Sequence, residues 1–264
     1  MSNGKNYFLP HPQLCVVIRK QHKMKKTALI TGANKSIGFE TAKQLLAAGY
    51  KVFIGSRDAD RGQQAVNELK NAGFEDVEAV TLEVTDSASI THVAEELAAK
   101  VTRLDVLINN AGIPGSYPQE GSNVTQDNLK AVFETNFFAV VAVTQAFLPL
   151  LRKSDAPRIV NVSSDLGSLG LNTDAGSRHY DVKPAAYNSS KAALNMYTVV
   201  LAYELRDTNF KVNSVNPGYT ATDFNNHTGY KTVDEAAAPI VKYAMIGDEG
   251  PTGKFFSDYG ETPW

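Results

Sequence analysis

Cysteine is almost missing from this chain: among 264 residues only Cys15 carries a thiol. No internal disulfide and no cysteine-built metal cluster can form, which fits a reducing compartment such as the cytoplasm. A dominant charge is missing too. The 26 Lys and Arg nearly offset the 28 Asp and Glu, and a formal net charge of −2 gives no reason to expect nucleic acid or an anionic membrane as partner. Uninterrupted apolar runs fall far short of a membrane span. There is no internal repeat, no low-complexity tract and no linker that would divide the chain, so a single domain is expected. Acidic residues are absent from the first 26 positions, which carry Lys5, Arg19, Lys20, Lys23, Lys25 and Lys26. Their apolar run Leu14–Ile18 is too short for a secretory core and no small-residue cleavage site follows it. A basic targeting segment is the weaker reading, because the stretch is poor in Arg and Ser. The expected organisation is an N-terminal extension over residues 1–24, of the kind that is often mobile, ahead of a domain spanning 25–264.

What is present is alternation. Short apolar runs predict strands over Thr27–Ile30, Lys51–Ile54, Val77–Leu82, Leu104–Ile108, Arg158–Val162, Lys211–Val215 and Gly253–Phe256. Helical patterns fall between them: Ile37–Ala48, Asp86–Lys100 with Asp86 as N-cap, and Ala185–Arg206 with Leu194, Tyr197 and Leu201 at helical spacing. The strands are continuous apolar runs rather than alternating ones, as expected when helices cover both faces of a sheet. The fold class expected is α/β, a Rossmann-like doubly wound parallel sheet.

In such a sheet, ligands bind beyond the carboxyl ends of the strands. Those positions are polar or glycine-rich throughout. They are Thr31-Gly32-Ala33-Asn34-Lys35-Ser36-Ile37-Gly38 after the first strand, and Gly55-Ser56-Arg57-Asp58 after the second. Asn109-Asn110-Ala111-Gly112 follows the fourth, Ser163-Ser164 the fifth and Asn216-Pro217-Gly218 the sixth. A glycine turn leading into a helix presents unpaired N–H groups at the positive end of the helix dipole, a place for a phosphate, although the same turn also closes ordinary strand-to-helix corners. About 20 residues past those glycines, where a carboxylate commonly grips the adenosine ribose, stand Ser56, Arg57 and Asp58. Asp58 is read as a helix cap rather than a ribose ligand. Arg57 and Lys35 place positive charge on two neighbouring loops, enough to hold a 2′-phosphate, which favours NADP(H) over NAD(H).

Tyr187-Asn188-Ser189-Ser190-Lys191 opens the helix after the fifth strand. A spacing of four stacks Tyr187 and Lys191 on one face, and Tyr187 alone among eleven tyrosines has a lysine there. A phenol titrates near 10, too high for efficient proton transfer at neutral pH. A positive charge at about 5 Å, with effective dielectric near 20, favours the phenolate by roughly 3 kcal/mol, so Lys191 is expected to lower the Tyr187 pKa. Ser164 is placed to hydrogen-bond a carbonyl or alcohol oxygen.

Taken together, Thr31-Gly32…Gly38, Asn109-Asn110-Ala111-Gly112, Asn136, Ser164, Tyr187, Lys191 and Pro217-Gly218 resemble the short-chain dehydrogenase/reductase family, from about Lys26 to Trp264. Gly-Ala-Asn-Lys in the first loop, Arg57 with Arg61, and Thr135-Asn136-Phe137-Phe138 are most similar to its NADPH-dependent carbonyl reductases. The resemblance implies a catalytic set of Asn136, Ser164, Tyr187 and Lys191. Tyr187 would be the proton donor, Lys191 would tune it and hold the nicotinamide ribose, and Asn136 would anchor a water leading to Lys191. It implies a cofactor cleft lined by Gly32, Asn34, Lys35, Ser36, Ile37, Gly38, Arg57, Glu83, Val84, Asn110, Ala111, Gly112, Pro217, Gly218 and Thr220, with no metal.

The chain also departs from the family pattern. Ser36 stands at the middle glycine and Glu83 where an Asp is usual. The Ser164–Tyr187 gap is longer than common, and its extra segment around Leu171–Pro184, with His179 and Tyr180, is expected beside the substrate pocket. That segment leaves monomer or homo-oligomer undecided. The stretch Tyr219–Val233 carries Phe224, His227 and Tyr230 and reads as a substrate lid over an apolar carbonyl compound, with His227 a lid or surface residue. The leading function is NADPH-dependent reduction of a ketone or aldehyde. The alternatives are an alcohol dehydrogenase working mainly in oxidation and a non-catalytic NADP(H) sensor.

Overall fold

A computed structural model describes residues 25–264, so the expected N-terminal extension and Cys15 lie outside the described residues. The chain runs β1 (Thr27–Thr31), α1 (Ser36–Ala47), β2 (Lys51–Ser56), α2 (Ala59–Asn71), β3 (Val77–Thr81), α3 (Ser87–Lys100) and β4 (Val106–Asn109). Then come α4 (Gln126–Phe133), a π-helical turn over Glu134–Phe138, α5 (Ala139–Leu151), β5 (Arg158–Val162), the short α6 (Leu169–Thr173) and α7 (Ala185–Glu204). It ends with β6 (Lys211–Val215), α8 (Val233–Ala244), β7 (Lys254–Ser257) and β8 (Gly260–Glu261).

These strands form one sheet in the order β3-β2-β1-β4-β5-β6-β7-β8, parallel throughout except for the β7–β8 pair. The two-residue β8 was not expected from the sequence. The period of two along each strand sorts the core into two layers. Ala28, Ile30, Val52, Ile54, Val106 and Ile108 face a cluster with Ala42, Leu45, Val66 and Ile240 from α1, α2 and α8. Leu29, Phe53 and Leu107 face the other side, with Val93, Leu97, Val143, Phe147 and Leu201 from α3, α5 and α7. Because both faces are buried, the strands read as unbroken apolar runs.

Helix starts follow their caps. Asp58 accepts from Arg61 N at 3.0 Å, the capping role expected of it, and Asp86 accepts from Ala88 N at 2.9 Å. The continuous helical run Gln126–Leu151, of 26 residues, is long and apolar enough by length and composition to cross a membrane. Its Val143, Phe147 and Leu151 pack into the layer over β4, as in the core helix of a globular domain.

Chain order reverses between β1 and β4, which lie side by side with Ile30 opposite Ile108. A crevice opens beyond the carboxyl ends of strands at such a switch point. The glycine loop after β1 and Asn110 after β4 are the residues placed there.

Candidate active site

The glycine loop is locked from the β4 side. Thr31 Oγ1 accepts from both Asn110 N and Ala111 N at 3.0 Å, and Asn110 Nδ2 donates to Thr31 O at 2.9 Å and Gly32 O at 3.0 Å. Asn110 therefore holds the loop from behind. Gly32 has φ +63°, and a Cβ there would meet the Ala111 Cα at 3.1 Å. A Cβ on Gly38 would sit 2.6 Å from both Asn110 Nδ2 and Gly32 O, so no side chain fits at that position. Lys35 is the N-cap of α1 and makes no side-chain capping bond, in contrast to the capped α2, α3, α4 and α8. The first N–H groups of α1, beginning at Ser36 and Ile37, are thus unclaimed by any side-chain cap at the switch point. A cradle kept open by glycines, with uncapped donors, fits a dinucleotide pyrophosphate. Ser36 has φ +54°, the left-handed conformation that glycine adopts without strain.

On the adenosine side, Arg57 is exposed, and neither it nor Asn34 makes a side-chain hydrogen bond or ion pair among the described residues. Lys35 is ion-paired instead, its Nζ 2.6 Å from Asp223 Oδ2 in the lid stretch. Glu83 folds back on its own loop, accepting from Thr85 N at 3.1 Å and Thr85 Oγ1 at 2.8 Å. Val84 is partly buried and packs against the α3/α5 layer.

Tyr187 and Lys191 lie one turn apart on α7, whose start is fixed by Gln119: its buried side-chain carbonyl accepts from Tyr187 N at 3.2 Å. Ser164 follows β5 and stands beside the Tyr187 hydroxyl, while its Oγ accepts from Leu166 N at 3.2 Å. Lys191 is buried, donates to Val162 O at 2.8 Å and has its Nζ 5.8 Å from the centroid of the Tyr187 ring. The expected lowering of the Tyr187 pKa is corrected here. Burial pushes that phenol up to about 12, only partly opposed by the neighbouring Ser164 hydroxyl. The Phe224 ring, edge-on at 5.7 Å between centroids, helps to keep water from Tyr187. Burial likewise brings Lys191 down to about 8.

Asn136 sits in the π turn, fully buried, and its amide is spoken for. Oδ1 accepts from Ile113 N at 2.8 Å, and Nδ2 donates to Ile113 O at 3.0 Å and Ser190 Oγ at 3.1 Å. Its side chain is thus a brace between the β4 loop and α7. Gly112 is where the brace comes close, since a Cβ there would stand 3.2 Å from Asn136 Oδ1 and 3.7 Å from Lys191 Nζ.

Gly218 has φ +85° and donates its N–H to Asn216 Oδ1 at 3.0 Å. Lys231 crosses over this turn, donating to Pro217 O at 3.3 Å and pairing with Asp258 at 2.5 Å. Buried Thr220 donates to Gly218 O at 3.1 Å and bridges to Lys231, tying together the two ends of the Tyr219–Val233 stretch. His227 is exposed at the surface, its ring 2.9 Å from Asp223 Oδ1.

The sequence reading missed Gln119, Ser190, Lys231 and Asp165. Ser190 lies inside the Tyr187–Lys191 motif and Asp165 directly follows Ser164, so their positions were a usable signal. Gln119 and Lys231 carried none.

Uncapped donors at the switch point and a Ser–Tyr–Lys set across the same crevice define an NAD(P)-dependent oxidoreductase. The profile described as short chain dehydrogenase matches residues 26–232. Salutaridine reductase of Papaver bracteatum is 34% identical, over 89% of this chain and 95% of that one. The (+)-neomenthol dehydrogenase of Capsicum annuum is 33% identical, over 87% of this chain and 94% of its own. An NADPH-bound carbonyl reductase from chicken fatty liver superposes with a TM-score of 0.79 at 29% identity, covering 91% of this chain and 99% of that one. The chain belongs to the short-chain dehydrogenase/reductase family.

Proposed function

We propose that the protein uses NADPH to reduce a ketone or aldehyde to an alcohol. The observation that carries the reading is Ser164 beside the Tyr187 hydroxyl, with buried Lys191 one turn away and its Nζ 5.8 Å from the Tyr187 ring. Bound NADPH supplies the hydride that the carbonyl carbon accepts. Ser164 Oγ orients the carbonyl oxygen by donating to it and stabilises the charge growing there. Tyr187 holds its proton throughout the physiological range, because burial raises its pKa to about 12. It then releases that proton to the alkoxide-like oxygen, forming the O–H bond of the product. Lys191 carries the positive charge that favours the phenolate left behind, and its ammonium would hold a ribose hydroxyl of the bound cofactor.

The cofactor's 2′-phosphate is assigned to Asn34, Lys35 and Arg57. Phe224, whose ring meets Tyr187 edge-on, gives the Tyr219–Val233 stretch an aromatic contact at the site, which suits an apolar carbonyl compound. Relatives named both reductase and dehydrogenase leave the oxidative direction as the second reading. The test is a panel of carbonyl compounds followed by NADPH absorbance, with Tyr187→Phe alongside. Turnover is expected to vanish in that variant while NADPH still binds. Surviving turnover would refute the mechanism, and tighter binding of NADH than NADPH would refute the phosphate assignment.

A further inference from the structure

Asp165, the residue after Ser164, is a buried carboxylate that the reduction as described does not use. Its Oδ1 accepts from Ser257 Oγ at 2.7 Å. Ser257 Oγ in turn accepts from Asn216 Nδ2 at 3.2 Å, and Asn216 Oδ1 receives the Gly218 N–H. Two hydrogen bonds therefore join the turn that carries Ser164 to the Asn216–Gly218 turn after the neighbouring strand β6, and a third closes that turn on itself. The second oxygen, Oδ2, faces the inserted segment, with His179 Nε2 at 3.2 Å and Arg178 Nη2 at 3.5 Å. The other guanidinium arm, Nη1, donates to Tyr230 OH in the lid at 3.1 Å. A carboxylate this buried persists only when its oxygens are paired. Here the pairing partners come from the C-terminal strand and from the insertion, so the cost of burial is offset by groups whose position it fixes.

Resting on the reductase reading above, we propose that Asp165 is a positioning residue for the reaction and that Arg178 is its arm to the lid. Through Ser257 it sets Ser164 against the Asn216–Gly218 turn, and through Arg178 it holds the insertion and Tyr230 together as one wall of the substrate pocket. The two arms have different kinetic signatures. Displacing Ser164 weakens an interaction made in the transition state and lowers kcat. Loosening the wall weakens contacts made equally in ground and transition states and raises KM.

The experiment compares wild type with Asp165→Asn, Ser257→Ala and Arg178→Met, using benzaldehyde and cyclohexanone as probes. NADPH fluorescence titration and amide hydrogen exchange across residues 219–232 are measured alongside. Asp165→Asn is expected to lower kcat about ten-fold or more, because misplacement of about an ångström is that costly, while NADPH affinity stays within about three-fold. Ser257→Ala should lower kcat without changing lid exchange. Arg178→Met should raise KM about three-fold or more, leave kcat nearly unchanged and speed exchange in the lid. If Asp165→Asn does not fold, the other two variants read its two arms separately. Unchanged kcat, KM and lid exchange in Ser257→Ala and Arg178→Met, or a loss of thermal stability alone, would overturn the proposal. If wild type turned over neither probe, the reductase reading would be in question, while lid exchange in Arg178→Met would still decide whether the strap exists.

Discussion

Lys35 Nζ, in the glycine loop, lies 2.6 Å from Asp223 Oδ2, in the lid. The Lys35 ammonium holds the Asp223 carboxyl below the usual carboxylate range, with the His227 ring adding to the effect. One lysine is therefore claimed twice, by a lid carboxylate in this structure and by the 2′-phosphate in the proposed complex. A phosphate entering here meets Asp223 as a like charge and as a competitor for Lys35. Asp223→Asn is expected to tighten NADPH binding about two- to five-fold and to leave NADH almost unaffected, since an exposed pair of this kind is weak and screened by salt. Fluorescence titrations of both cofactors at low and high salt would check it. Weaker NADPH binding by the variant would mean that Asp223 positions Lys35 rather than competing for it.

Ser36 occupies a loop position where the backbone asks for glycine and, unlike Gly32, does not have it. Its φ of +54° costs a residue with a Cβ about 1 kcal/mol. Ser36→Gly should therefore raise the melting temperature by roughly 2–4 °C. NADPH affinity should change only modestly, because close approach of the backbone depends on Gly32 and Gly38, whose surroundings leave no room for a side chain. Thermal melts with cofactor titrations test both statements. Complete loss of NADPH binding would instead show that the serine hydroxyl is an essential donor to phosphate.

The parallel sheet was legible in the sequence because strands buried on both faces, such as Lys51–Ser56 and Arg158–Val162, are apolar runs bounded by polar turns. The glycine loop, Asn110, Ser164, Tyr187 and Lys191 were legible because each follows a strand or repeats at helical spacing. β8 was not. It is two residues held by the Thr262 N–H to Phe255 O bond and the Lys254–Glu261 pair, and no pattern marks it. The π turn was hidden because Glu134–Phe138 keeps helical composition while changing only its hydrogen bonding. The direction of the Tyr187 shift was misread for a related reason. The charge of Lys191 is visible from spacing alone, whereas burial arises from tertiary packing that includes Phe224. Asp165 illustrates the same limit, since its partners Arg178 and His179 come from the insertion and Ser257 from β7, far along the chain.

Lys191 sets the pH window in which the site should change. Burial lowers its pKa from 10.5 to about 8, while Tyr187 is raised to about 12 and keeps its proton across that interval. Below about 8 the native ammonium is charged. Between about 8 and 10.5 the native amine has lost its proton and the unfolded chain still holds it. The unfolded state then binds more protons, so this group's contribution to stability rises with pH through the window. Activity should move the other way, because the neutral amine no longer supports a phenolate. The value of kcat/KM for NADPH, which reports the free enzyme, is expected to be level up to about pH 7.5 and to fall above about pH 8. Over the same range, denaturant unfolding should show wild type gaining up to about 3 kcal/mol relative to Lys191→Met, which has no proton to lose there. A level rate profile through pH 10, or a stability difference independent of pH, would mean that Lys191 does not titrate in this window and that its burial costs less than the structure indicates.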